Sequence, residues 1–143
     1  MQRREFIQLS LAGSLAGVAL PMRMAAADAP APSMAGGVYY TLEQPGRWKD
    51  KAAGHAPKLE KTQEADGSWL IKVVTDHPLK GFEHYIVKHQ LLDKDYRFVA
   101  EKMFDPDKDA PKSEFRLPKD YQGMVHALSM CNKHDLWLSS LAV

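Results

Sequence analysis

Apolar and polar residues alternate along most of the chain with a period of two, which is typical of half-buried β-strands. Six short segments show this pattern and are rich in β-branched and aromatic residues, at positions 38–42, 69–74, 84–88, 96–100, 114–117 and 124–128. Turn-forming clusters of Gly, Pro and Asp separate them. No stretch keeps an apolar face at helical spacing for three turns. The pattern therefore predicts an all-β protein of six to eight strands, folded as an immunoglobulin-like antiparallel β-sandwich.

The first 27 residues have the organisation of an export signal. Arg3 and Arg4 precede an apolar run over 9–20, and small residues follow at 25–27. The run has about a dozen residues, fewer than the roughly 20 of a membrane-spanning helix. A cleaved twin-arginine signal is therefore favoured over an uncleaved membrane anchor. We expect cleavage after Ala27, since cleavage after Ala29 would place Pro30 next to the cut. The mature protein is expected in the periplasm, without a membrane segment.

The length of 143 residues corresponds to one folded domain. We assign the Pro- and Ala-rich residues 28–36 to a linker and residues 37–143 to the domain. Nineteen basic and eighteen acidic residues leave a formal charge of +1, which argues against a nucleic-acid-binding surface. A single cysteine, Cys131, excludes an intrachain disulfide and any metal site of four cysteines from one chain.

Five residues at predicted loops and strand ends form a candidate metal-binding set: His55, His77, His84, Cys131 and His134. Cys131 and His134 are three residues apart, so they converge only if the strand ends at the cysteine and the next two residues turn. His77 and His84 are seven apart, which requires one of them to lie in a loop, with Gly81 as the bend. Loops at one end of a β scaffold are the usual place for a functional site.

The remaining candidates have simpler interpretations. His89 and His126 carry no motif and are expected to be ordinary surface or core residues. The acidic cluster at 105–109 lacks the ligand loop of a calcium site and is interpreted as a solvated turn. The methionines are scattered, which argues against a copper site.

The motifs resemble those of the superoxide reductases, the desulfoferrodoxin and neelaredoxin family. The resemblance covers roughly residues 38–139 and is carried by H-x-P at His55, H-P…E-H-Y-I from His77, and C-N-x-H-x-L-W from Cys131. It implies one mononuclear non-haem iron, held by four equatorial histidines and an axial cysteine. These would be His55, His77, His84 and His134, with Cys131 on the axis. A chain without further cysteines would be of the one-iron type.

This resemblance implies an oxidoreductase that reduces superoxide to hydrogen peroxide with one electron from Fe(II). Imidazole nitrogens and a thiolate are ligands that suit iron. The backbone N–H groups of Asn132 and Lys133 are candidates to donate to the cysteine sulfur. An electron-donor protein is the implied partner, and a homo-oligomer is compatible with the sequence. The alternative is a non-enzymatic iron-binding or electron-transfer module on the same scaffold. A role in periplasmic sulfur oxidation would leave the four motif histidines unexplained.

Three departures from the family pattern bear on the capture of superoxide. Ala53 and Gly54 stand where the family has a Glu-Lys pair, so Lys51 is the candidate for the catalytic cation near the open site. The spacing between the second and third histidines is one residue longer than expected. Asp135 replaces a glycine and is expected to place a negative charge beside an anion-binding site. The first and third departures lower the positive potential that attracts superoxide.

Overall fold

A computed structural model describes residues 33–78 and 80–143, so the predicted signal and the first part of the predicted linker lie outside the described residues. The regular elements are a 3₁₀-helix (Gly46–Gly54), β1 (Lys58–Gln63), β2 (Trp69–Val74), β3 (Ile86–Leu92), β4 (Phe98–Met103), β5 (Lys112–Leu117), β6 (Met124–Cys131) and β7 (Asp135–Ala142). Within these ranges, no helix has the length and apolar character needed to cross a membrane.

The strands form two antiparallel sheets, with the orders β1-β2-β5 and β4-β3-β6-β7. Side chains from both sheets meet in one core, which contains Ile71, Val73, Phe115 and Leu117 from the first sheet and Leu91, Val125 and Ala127 from the second. Strand β5 shows the expected alternation, with every second residue buried. Three strands packed on four make the immunoglobulin-like sandwich that the sequence predicts.

The prediction of a strand at residues 38–42 is wrong. Tyr40 forms only an isolated bridge to Trp137, and its N–H donates to the Leu136 carbonyl at 2.9 Å. A turn at 36–38 and a bend at 42–43 leave three residues between them, too few for a ladder. Conversely, β1 and β7 form where no strand was predicted. Strand β1 lies at a sheet edge and is almost wholly exposed, so it lacks the alternating pattern.

Two small clusters position the segments that carry the candidate site. Tyr40, Ala52, Ala56 and Trp137 pack together and hold the 3₁₀-helix against β7. Ile86, Phe104 and Cys131 form a second cluster between β3 and the end of β6. The candidate site therefore lies where the 3₁₀-helix, the β2–β3 connection and the β6–β7 turn meet.

Candidate metal centre

The five predicted ligands come together from four separate segments. His55 directly follows the 3₁₀-helix, His77 and His84 lie on the connection between β2 and β3, Cys131 ends β6, and His134 lies in the turn before β7. One potential ligand atom from each residue lies within 4.8 Å of all the others. The fold thus produces the convergence that the loop and strand-end positions predicted.

Both local geometries inferred from residue spacing are present. Strand β6 ends at Cys131, and residues 132–134 form the turn that brings the imidazole of His134 back toward the thiol. Their Sγ and Nδ1 atoms are 3.6 Å apart. Gly81 lies between the two histidines of the β2–β3 connection with a φ of +55°, a left-handed conformation that glycine adopts without strain.

The four imidazoles each direct one nitrogen toward a common point. Nε2 of His77 and Nε2 of His84 are 3.0 Å apart, as are Nε2 of His84 and Nδ1 of His134. Nδ1 of His134 and Nε2 of His55 are also 3.0 Å apart. Atoms at the corners of a square with this edge lie about 2.1 Å from its centre, the usual length of a metal–imidazole bond. Neighbouring rings are steeply inclined to one another, at 68 to 88°.

The cysteine sulfur lies outside the plane of the nitrogens. Sγ is 3.8 Å from Nε2 of His77 and 3.6 Å from Nδ1 of His134, two atoms at opposite corners of the square. A sulfur at these distances within the plane would overlap one of the other two nitrogens. Four nitrogens in a plane with a sulfur on one side leave the opposite side open, unlike a closed tetrahedral zinc site.

Asn132 ties together the two loops that carry the ligands. Its side-chain oxygen accepts the N–H of Tyr85 at 3.0 Å, and its amide nitrogen donates to the carbonyls of Phe82 and Glu83 at 3.3 and 3.1 Å. Its own N–H donates to the Tyr85 carbonyl and not to the sulfur. Lys133, the other predicted donor, does donate its N–H to the cysteine Sγ, at 3.5 Å.

Other contacts orient the histidines as ligands. Nδ1 of His55 lies 2.8 Å from the Lys51 carbonyl, so Nδ1 carries the proton and Nε2 presents its lone pair to the centre. The indole of Trp137 donates to the His134 carbonyl at 2.8 Å. Burial lowers the pKa of both His55 and His77 to about 4, which keeps the rings neutral.

The donor set fits a metal ion. Neutral imidazole is the form that binds metals, and lone pairs facing one another at 3.0 Å repel unless a cation lies between them. Burial raises the pKa of the Cys131 thiol, and a bound cation opposes this by favouring the thiolate. The arrangement can therefore hold one ion with four nitrogens and one sulfur.

A cleft of about 340 Å³ gives access to the imidazoles. His55, His77 and His84 line it and Cys131 does not, so the cleft lies on the side away from the sulfur. Lys51, the predicted cationic residue, lies at this cleft.

Lys80 is a second cation at the same cleft, and it lies in no motif of the sequence. It is the antiparallel bridge partner of His84, which places it beside a half-buried ligand. Neither Lys80 nor Lys51 forms a salt bridge with an acidic residue of the described ranges. In the sequence, the extra residue between the second and third histidines is the feature that could have drawn attention to Lys80.

The expectation for Asp135 needs correction. Its φ is +63°, a left-handed conformation that glycine adopts freely and that aspartate tolerates. Its carboxylate accepts hydrogen bonds from Arg47 and from the indole Nε1 of Trp48 at 2.8 Å. The hydrogen bond from Arg47, then that from Trp48, lowers the pKa of Asp135. The negative charge beside the centre is therefore paired with a cation.

The comparisons with known proteins agree with this geometry. The sequence model of the desulfoferrodoxin family matches residues 47–140. A variant of the neelaredoxin superoxide reductase from Ignicoccus hospitalis is similar in structure, with a TM-score of 0.65 and 25% identity over 74% of this chain and 93% of that chain. The structure of a superoxide reductase in the oxidized state gives a TM-score of 0.54. Its sequence is 26% identical over 65% of this chain and 90% of that chain.

A third structure, the reduced neelaredoxin superoxide reductase from Archaeoglobus fulgidus, gives a TM-score of 0.54. Its identity is 23% over 63% of this chain and 89% of that chain, so it supports the fold alone. None of the curated proteins compared with the sequence matches it.

Proposed function

Because the chain belongs to the desulfoferrodoxin family, we propose that it is a superoxide reductase, an oxidoreductase that converts superoxide to hydrogen peroxide. The observation that carries this proposal is the convergence of four histidines and one cysteine on one point, with a cleft on the side away from the sulfur. When bound, a mononuclear Fe(II) supplies the one electron that superoxide takes up, and two protons complete hydrogen peroxide.

The ligand residues act in two groups. His55, His77, His84 and His134 would hold the metal through their neutral nitrogens. Cys131 would hold the metal through its sulfur, and the N–H of Lys133 would moderate the electron density that this sulfur donates. The sulfur side is closed, because Cys131 packs against Ile86 and Phe104 in a buried cluster. A small molecule therefore reaches the imidazoles through the cleft.

The two lysines at the cleft attract the substrate. Superoxide is an anion, and a cleft with a positive potential raises the rate at which it arrives. Lys51 serves as the catalytic cation and Lys80 adds a second positive charge, against the one carboxylate, that of Asp50, which also lines the cleft. Because the cleft opens to solvent, water delivers the two protons. A separate electron-donor protein returns the electron after each turnover.

Metal analysis with visible absorption and EPR spectroscopy tests the proposal. We expect one high-spin iron per chain, a thiolate-to-iron absorption band after oxidation, and peroxide formed from superoxide. Cys131→Ser should abolish the band. Met130→Leu, which removes the neighbouring sulfur from the exposed face of the same strand, should keep it. Zinc in place of iron, or iron without peroxide formation, would reject the enzyme and leave the binding-module alternative.

The periplasmic location is a further part of the proposal, and its support is the signal-like sequence of residues 1–27. Fractionation of the native cells, combined with N-terminal sequencing, tests it. We expect a periplasmic protein that begins at Asp28. Recovery of the full chain from the cytoplasm would contradict this location without affecting the proposed chemistry.

A further inference from the structure

His89 is a buried histidine that lies outside the metal centre. It is fully buried on β3, where it faces the interior of the sandwich. Its Nδ1 is 2.8 Å from Oγ of Ser113, and its Nε2 is 2.9 Å from Oγ1 of Thr75. The ring of Phe104 packs edge-on against it, with centroids 4.8 Å apart. Both nitrogens have partners, so the ring is fixed in one orientation.

The hydrogen bonds continue beyond the histidine. Oγ1 of Thr75 donates to Oγ of Ser129 at 2.9 Å, and both residues are buried. A threonine hydroxyl has one proton. One arrangement satisfies every contact: Thr75 donates to Ser129, Nε2 of His89 donates to Thr75, and Nδ1 accepts from Ser113. The four side chains thus form one hydrogen-bonded chain with a single direction.

This chain of hydrogen bonds connects both sheets of the sandwich. Ser113 belongs to β5 and Thr75 directly follows β2, so both come from the three-stranded sheet. His89 and Ser129 are register partners on β3 and β6 of the other sheet. Hydrogen bonds are directional, unlike the apolar contacts of the core, so these four side chains fix how the two sheets meet at this level.

Two members of this hydrogen-bonded chain lie two residues before a metal ligand in the sequence. Thr75 is two residues before His77, and its carbonyl accepts the N–H of His77 at 2.8 Å. Ser129 is two residues before Cys131, and both are buried on the inner face of β6. The hydrogen bond between Thr75 and Ser129 therefore ties the segment that carries one equatorial ligand to the strand that carries the sulfur.

An ordinary core would place an apolar residue at position 89. A buried imidazole destabilises the fold unless both of its nitrogens are bonded, and two buried hydroxyl groups bond it here, with the buried hydroxyl of Ser129 bonded in turn to Thr75. We propose that His89 is a positioning residue for the metal centre: through Thr75 and Ser129 it sets the separation between His77 and Cys131, and so the approach of the sulfur to the metal. This inference rests on the metal centre of the proposed function.

The test compares His89→Leu with His126→Leu in the full-length protein. His126 is a matched control because it is also a buried histidine of the same sheet, bonded to Ser140 at 2.7 Å on the outer face. In His89→Leu we expect a shifted thiolate-to-iron absorption band, altered EPR anisotropy and about 10-fold weaker binding of cobalt(II), measured by chelator competition. His126→Leu should match the wild-type protein in all three.

Two smaller substitutions cover the case in which His89→Leu does not fold. Thr75→Val keeps the shape of the side chain, and Ser129→Ala removes one hydroxyl, so each breaks the same link with little change in volume. A shifted band in these variants supports the proposal. Folded variants that lose stability but keep the wild-type band and cobalt(II) affinity would overturn it. Cobalt(II) binding requires no superoxide chemistry. A wild-type protein without activity toward superoxide would therefore reject the proposed function, while the comparison of cobalt(II) affinities would still test the role of His89.

Discussion

The indole of Trp48 donates to the carboxylate of Asp135 at 2.8 Å, across 87 residues of sequence. The same carboxylate oxygen accepts a hydrogen bond from Arg47. This contact joins the 3₁₀-helix to the first residue of β7, immediately after the ligand His134. The Trp48 ring then stands edge-on against the ring of His134, with centroids 4.7 Å apart. Asp135 therefore holds the indole of Trp48 against a half-buried ligand.

Asp135→Asn separates the hydrogen bond from the charge. Asparagine keeps an oxygen for Trp48 and tolerates the left-handed backbone, but it leaves Arg47 without its counter-ion. We expect the reaction with superoxide to become about 2-fold faster at low ionic strength, and the difference to disappear at high salt. Rapid kinetics over a series of salt concentrations measures this. A slower reaction at low salt would show that the pair supports the site by more than its charge.

The two lysines at the cleft should act together on the rate of capture. We expect Lys51→Ala and Lys80→Ala each to lower the second-order rate constant about 3- to 10-fold at low salt, and the double variant to lose most of the salt dependence. Lys51→Ala retains the backbone carbonyl that orients His55. Iron content and absorption spectra should therefore stay unchanged.

Lys61→Ala is the control for these variants. Lys61 lies on β1, and its amine bonds to the Ala142 carbonyl on a surface away from the cleft. Its removal should leave the rate constant unchanged. A wild-type rate in the double variant would contradict the role of both cleft lysines.

The ligand set could be predicted because each ligand lies in a motif with a local geometric consequence. Cys131 and His134 converge because the strand ends at the cysteine, and the odd spacing of His77 and His84 requires the bend that Gly81 supplies. The sandwich could be predicted because most of its strands bury alternate residues. Both inferences depend on neighbours a few residues apart.

Relationships between distant segments could not be predicted in this way. Arg47 meets Asp135 across 88 residues, so the paired charge was invisible in the local pattern. Lys80 became a candidate only when the fold placed it at the cleft. His89 has no motif, and its partners lie 14 and 24 residues away on other segments. Strand β1 lacks alternation because an exposed edge strand has little to bury.

Gly46 is required at the start of the 3₁₀-helix. Its φ is +48°, and a Cβ at this position would lie 2.2 Å from the Gly36 carbonyl oxygen and 3.0 Å from the Tyr40 ring. The nearest obstacle is backbone and cannot rotate away. We expect Gly46→Ala to lower the free energy of unfolding by about 1–3 kcal/mol, measured by chemical denaturation. Gly37→Ala is the control, since its Cβ would meet nothing nearer than 3.9 Å. Equal stabilities of the two variants would contradict the steric argument.

His89 should make the stability of the protein fall as the pH decreases. Burial lowers its pKa to about 4, with a smaller effect of Lys102, from the ordinary value of 6.5. The unfolded chain therefore binds a proton at this residue that the folded protein does not bind until the pH approaches 4. The contribution of His89 to the free energy of unfolding is intact above pH 6.5. It is lost progressively between pH 6.5 and pH 4, by up to about 3 kcal/mol.

His89→Gln isolates this effect, because glutamine keeps a polar side chain and does not titrate. Urea unfolding of the metal-free chains, where no ion is released, should show a shallower loss of stability in His89→Gln than in wild type below pH 6.5. We expect the difference in slope to be on the order of 1 kcal/mol per pH unit. His126→Gln should change the slope less, since His126 is less deeply buried, and the backbone of Lys94 and then the charge of Asp93 oppose the lowering of its pKa by burial. Parallel curves for wild type and His89→Gln would mean that the folded protein accommodates a charged imidazole at this position.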